Sequence, residues 1–78
     1  MNQLHLAMMA NQIGSFFLSY PDQEEARAEI ATHIQRFWAP RMRSQLLEHV
    51  ALTGGHGLDP LVIEAIQAHR ARLLPLAA

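Results

Sequence analysis

The 78-residue chain contains no cysteine and no lysine. Without cysteine it can form no disulfide, no thiolate zinc site, no cysteine-ligated iron–sulfur cluster and no cysteine nucleophile. Its six cations are all arginine, a side chain enriched at interfaces, where the planar fork meets carboxylates or stacks on rings. Charge is also missing from one end. The first formal charge is Asp22, and the remaining twelve follow it as far as Arg72. Residues 1–21 still carry Asn2, Gln3, His5, Asn11, Gln12, Ser15 and Ser19, which makes them too polar for a bilayer span of about 20 predominantly apolar residues. They show neither the cationic start nor the uninterrupted apolar stretch of a signal peptide, so the expected location is the cytoplasm. A basic surface is missing too. The net charge is −1 and the pI about 6.5, whereas domains built around phosphate backbones have pI values above about 9.

What remains is a short chain of which 50% is hydrophobic. The length allows a single domain over residues 1–78. A chain of this size buries only about 60% of its unfolded surface and is marginal on its own core; with disulfides and thiolate metal sites excluded, a protein partner is the most open source of extra stability.

Periodicity predicts four short helices. Over 3–20, Leu6, Met9, Ile13, Phe16, Phe17 and Tyr20 fall on one stripe, while Leu4, Met8 and Leu18 lie opposite among Ala7, Asn11, Gly14 and Ser15, with no charge to hold that side in water. Cover on more than one face is expected. Tyr20-Pro21-Asp22 ends this helix, and Asp22 with Glu25 has capping-box spacing for a second one over 23–38. Its acidic first turn suits the helix dipole, and Ala26, Ile30, Ile34 and Phe37 make its core line, with Trp38 at the margin. Pro40 is suited to open a third helix running to about 52, with Met42, Leu46 and Val50 inward and Thr53-Gly54-Gly55-His56-Gly57 as its stop. Asp59-Pro60 opens a fourth over 60–74, carrying Val62, Ile66 and Leu73, with Leu58 placed to staple its first turn. The fold class is all-α, an orthogonal array or a compact bundle. The Pro-marked junction between the second and third helices favours a sharp corner.

No chemistry-bearing constellation stands out. Glu25, Glu29 and His33 share one side of a helix but lack a fourth ligand, and they read as a solvated acidic ridge. His49 and His56 stand seven apart across a helix end, and only a particular loop fold would bring them together. Ser15, Ser19 and Ser44 sit within helices, without the strained turn that exposes a nucleophile. The glycine-rich 54–57 segment has no lysine and follows a helix, where a phosphate loop follows a strand. The densest irregularity is Arg36-Phe37-Trp38-Ala39-Pro40-Arg41-Met42-Arg43. Arg43 falls among Met42, Leu46 and Val50, so its head must reach a capping carboxylate within the chain, an acceptor on a partner, or water past the core edge. If any surface is a binding hot spot, this cluster is the candidate.

Three segments, Met9-Ala10-Asn11-Gln12-Ile13-Gly14, His33 through Arg43, and Gly57-Leu58-Asp59-Pro60-Leu61-Val62, stand in the order and spacing of a known family. Over roughly residues 5–66 the chain resembles the delta subunit of soluble NAD-dependent formate dehydrogenases. The resemblance implies a non-catalytic accessory subunit of a cytoplasmic complex, docking on the larger subunits, most of all the catalytic alpha subunit, and supporting assembly, stability or cofactor loading. It implies no cofactor in this chain; a molybdenum or tungsten pterin, iron–sulfur clusters, FMN and NAD belong to the partner subunits. It transfers no catalytic or metal-binding residue. For Asn11, Gln12, Arg36, Trp38, Arg41 and Arg43 it implies a structural or docking role. The expected division gives Ile13, Phe16, Ile30, Ile34, Phe37, Leu46 and Ile66 to the core, and Asn11, Trp38, Arg41 and Arg43 to the partner surface. A transient assembly chaperone for the same enzyme and a small nucleic-acid-binding regulator using Arg36, Arg41 and Arg43 are the alternatives.

Overall fold

The structure, a computed structural model, describes residues 2–75. Five helices follow one another, α1 (Gln3–Phe17), α2 (Gln23–Phe37), α3 (Pro40–Thr53), α4 (Pro60–Ala68) and the single turn α5 (Arg70–Leu73). The punctuation residues stand at the helix ends where their chemistry predicts, although Asp59, at the N-cap of α4, makes no capping hydrogen bond through its side chain. Asp22 Oδ1 accepts the Glu24 and Glu25 backbone N–H groups at 2.9 and 3.3 Å, satisfying donors at the start of α2. Pro40 and Pro60 occupy the first turns of α3 and α4. Gly54 closes α3 at φ 76°, the left-handed geometry that side chains with a Cβ adopt only with strain.

Two boundaries differ from the periodic reading. The first helix stops at Phe17, and Tyr20 packs edge-on against Phe17 with ring centroids 5.2 Å apart. The fourth breaks at His69 (φ −118°, ψ 28°), and the separate last turn buries Leu73 and carries the Arg72 guanidinium to α2, 2.6 Å from Thr32 Oγ1 and 3.1 Å from Gln35 Oε1.

α2 packs most extensively on α4, and α1 lies across α2, α3 and α4. The sequence neighbours α2 and α3 barely touch, so the chain turns a sharp corner at Trp38-Ala39, and the arrangement is an array rather than an up-down bundle. The core is built from Leu6, Ala10 and Ile13 of α1, Ala26, Ile30 and Ile34 of α2, Leu46 and Leu47 of α3, and Leu61, Val62, Ala65 and Ile66 of α4, with Leu58, Leu73 and Trp38.

α1 is turned about its own axis relative to the stripe that its large residues mark. Its small residues Ala7, Ala10 and Gly14 face inward, and a Cβ on Gly14 would stand 2.5 Å from Val62 Cγ2. That close approach of two helices is possible only without a side chain at Gly14. Its consequence is that Phe16, expected in the core, lies 76% exposed.

Candidate functional site

Candidate residues at the three sequence segments sort into those engaged inside the chain and those left open. Asn11 belongs to the first group, which corrects its expected place on the partner surface. Its Nδ2 donates to the Gly57 carbonyl at 2.9 Å and its Oδ1 accepts the Asp59 N–H at 2.8 Å, so one side chain clamps the loop between α3 and α4 onto α1. With Gly14 against Val62, this ties the Met9–Gly14 segment to the Gly57–Val62 segment. These two segments fold against each other.

Trp38 is the second correction. It caps α2 with extended backbone (φ −92°, ψ 135°), and its side chain is 7% exposed within the core, while Phe37, expected inside, is 69% exposed. Once the chain leaves the helix at Trp38, the 100° step per residue no longer applies, and the indole rather than the Phe37 ring turns into the core.

Arg43 is the third. It is partly buried, as its position among Met42, Leu46 and Val50 requires, and its Nη1 donates to the Gln35 carbonyl at 3.2 Å. The acceptor lies in the chain itself and is a helix C-terminal carbonyl, where a cation complements the dipole. Its Nε is buried without a partner.

Gln12, Arg36 and Arg41 remain exposed. The described residues leave open two further features. The first is a ridge on α1. Leu4, Met8, Gln12 and Phe16 succeed one another four residues apart and therefore line up along one helix face; Leu4 is 59% and Met8 57% exposed, and no charged residue lies on α1. The second is Phe37 with its neighbours at the α2–α3 corner. Sequence periodicity pointed to the uncharged back of α1 but placed Phe16 and Phe37 in the core, because it weighs bulk and has no information about where two helices must approach closely.

Two other places gather polar or concave features. His49 is buried, its Nε2 donating to the His56 carbonyl at 2.6 Å, while the Thr53 hydroxyl donates to the His49 carbonyl and accepts the Gly55 and His56 N–H groups. The histidines are thus joined through one ring and one carbonyl, a contact that orders the glycine loop. A shallow groove of about 220 Å³ runs between Leu47, Val50 and Ala51 of α3 and Ile66 and Gln67 of α4, with Arg70 at its rim. It is smaller than the usual small-molecule pocket of roughly 300–1,000 Å³. Among the described residues no three His, Asp or Glu groups stand together as a metal site, and no helix is long and apolar enough to cross a membrane.

Fold and surface together define a small all-α domain that closes its own core yet leaves an uncharged apolar ridge in the open. Residues 5–66 match the model of the NADH-dependent formate dehydrogenase delta subunit, FdsD, and the chain belongs to that family. All three sequence segments lie within the matched span, and as a delta subunit the chain has the other subunits of a formate dehydrogenase as its partners. No curated protein and no solved structure matches it.

Proposed function

We propose that this chain is a non-catalytic accessory subunit that docks on the catalytic alpha subunit of a cytoplasmic NAD-dependent formate dehydrogenase, supporting its assembly, stability or cofactor loading. The observation that carries the reading is the α1 ridge of Leu4, Met8, Gln12 and Phe16, apolar at three of its four positions and without charge. Ridges spaced by four are the surfaces that interdigitate when helices pack, and an uncharged one is desolvated at little cost when another apolar surface covers it. The pterin-bound molybdenum or tungsten, the iron–sulfur clusters, FMN and NAD are assigned to the partner subunits. The absence of cysteine leaves this chain no thiolate with which to hold a cluster.

The test is co-expression of the tagged chain with the large subunits. The wild-type chain is expected to co-purify with them, and Met8→Glu combined with Phe16→Glu is expected to release it while the isolated variant keeps its helical circular dichroism and melting temperature. A wild-type chain that elutes alone, with formate-dependent NAD reduction and cofactor content unchanged on its deletion, would sink the proposal. Equimolar delta chain in active, purified enzyme distinguishes a resident subunit from a transient chaperone.

A further inference from the structure

Phe37 sits on the core line of α2, seven residues after Ile30, and is nevertheless 69% exposed. Two side chains of the same helix lie beside its ring. The His33 ring lies against it with centroids 4.7 Å apart at 44°, and Arg36 Cζ stands 6.0 Å from its centroid. A ring held in place by two neighbours on the same helix loses little freedom when a partner covers it, which is what makes an aromatic an effective anchor.

Glu29 and Glu25 lie about two and three turns up the same side of α2, while the charged residues nearest to Phe37 in the sequence are arginines. Arg27 pairs with Glu64, Arg43 with the Gln35 carbonyl, and Arg72 with Thr32 and Gln35. Arg36 and Arg41 make no hydrogen bond or ion pair among the described residues, and no carboxylate stands three or four residues from either on its own helix. Arg41 lies in the first turn of α3, which contains no acidic residue and where the dipole favours one. A local rule is broken there with no compensating contact among the described residues, the pattern expected where a surface serves another molecule.

We infer that the α2–α3 corner is a second docking contact, in which Phe37 enters an apolar pocket rimmed by carboxylates on another subunit of the same complex, with Arg36 and Arg41 facing that rim. The inference rests on the accessory-subunit reading and adds the chemistry of the partner's surface. It also moves the aromatic anchor of the arginine-rich cluster from Trp38 to Phe37.

The experiment measures binding of the full delta chain to the purified large subunits, at about 50 mM and about 500 mM salt. Phe37→Ala is expected to weaken binding about 30-fold, as loss of a central aromatic anchor does, with the melting temperature of the isolated chain unchanged. Arg36→Glu with Arg41→Glu is expected to weaken it about tenfold or more at low salt and much less at high salt, because exposed charge pairs are screened. Wild-type binding by both variants, with Met8→Glu/Phe16→Glu still releasing the chain, overturns this inference and leaves the ridge reading intact. If the wild-type chain does not bind the subunits at all, the reading beneath it fails as well. A charge-reversal effect independent of salt removes the carboxylate rim, and a lowered melting temperature for Phe37→Ala makes Phe37 a structural residue. Salt-sensitive binding to a DNA duplex in place of the subunits would identify a nucleic-acid surface and overturn the proposal.

Discussion

Phe37 and Trp38 are adjacent, both aromatic and both near a helix end, and they have opposite fates. The indole is counted in the core at 7% exposure and the phenyl ring is not. Trp38→Ala is therefore expected to cost about 3–5 kcal/mol, the range for deleting a large buried aromatic. In a domain of this length that corresponds to a melting temperature lower by roughly 4–8 °C per kcal/mol. Phe37→Ala should stay within about 0.5 kcal/mol of wild type. Thermal and urea denaturation of the two isolated variants checks the ranking, and a larger loss for Phe37→Ala would reverse the assignment. Asn11 carries a similar lesson. Nothing about an asparagine in a helix announces that both ends of its amide are used by a loop 46 and 48 residues away. At this scale the sequence shows which residue types are present but not whether their bonding partners lie within the chain.

α1 shows how a helix can be foreseen while its buried face is misjudged. Its existence follows from periodicity, and Leu6 and Ile13 are inside as expected. The face is shifted toward Ala7, Ala10 and Gly14 because α4 comes within reach of Gly14. Gly14→Ala is a sharp test, since helix propensity alone would favour it by about 1 kcal/mol. With a Cβ 2.5 Å from Val62 Cγ2 it is expected instead to destabilise the chain by about 1–3 kcal/mol. Adding Val62→Ala should recover part of the loss on top of that substitution's own cost, and denaturant titration of the single and double variants measures the coupling. If Gly14→Ala raises stability, the close approach of α1 and α4 is wrong. The last two elements were legible only in outline: residues 60–74 read as one helix, whereas the chain breaks at His69 and the turn beyond it brings Arg72 to Thr32 of α2.

At the scale of the whole molecule, the radius of gyration of 11.4 Å is that of a compact domain of this length, about 11.5 Å. Compactness does not remove the problem of size, because so short a chain has little core in reserve. A partner that covers the α1 ridge, as proposed, would add stability by mass action. With the large subunits at about a hundredfold above Kd, linkage contributes about 2.7 kcal/mol. The delta chain in complex should then melt on the order of 10 °C above the isolated chain. Differential scanning calorimetry of the isolated chain and the complex measures the difference, and coincident melting temperatures would mean that docking contributes nothing to this fold. The exposed pair Arg27–Glu64, at 3.3 Å, is in the class that contributes at most about 1 kcal/mol.

Local chemistry was enough to establish the all-α class, the helix boundaries at Asp22, Pro40, Gly54 and Pro60, the exclusion of cysteine chemistry and the uncharged character of the first 21 residues. Each of these depends on a residue and its immediate neighbours along the chain. The inward face of α1, the exchange of Phe37 for Trp38, the internal use of Asn11 and Arg43, and the arginines left without partners were decided in three dimensions. The reason is that these depend on distances between segments far apart in the chain, as at Gly14, where α1 and α4 stand so close that an added Cβ would lie 2.5 Å from Val62 Cγ2.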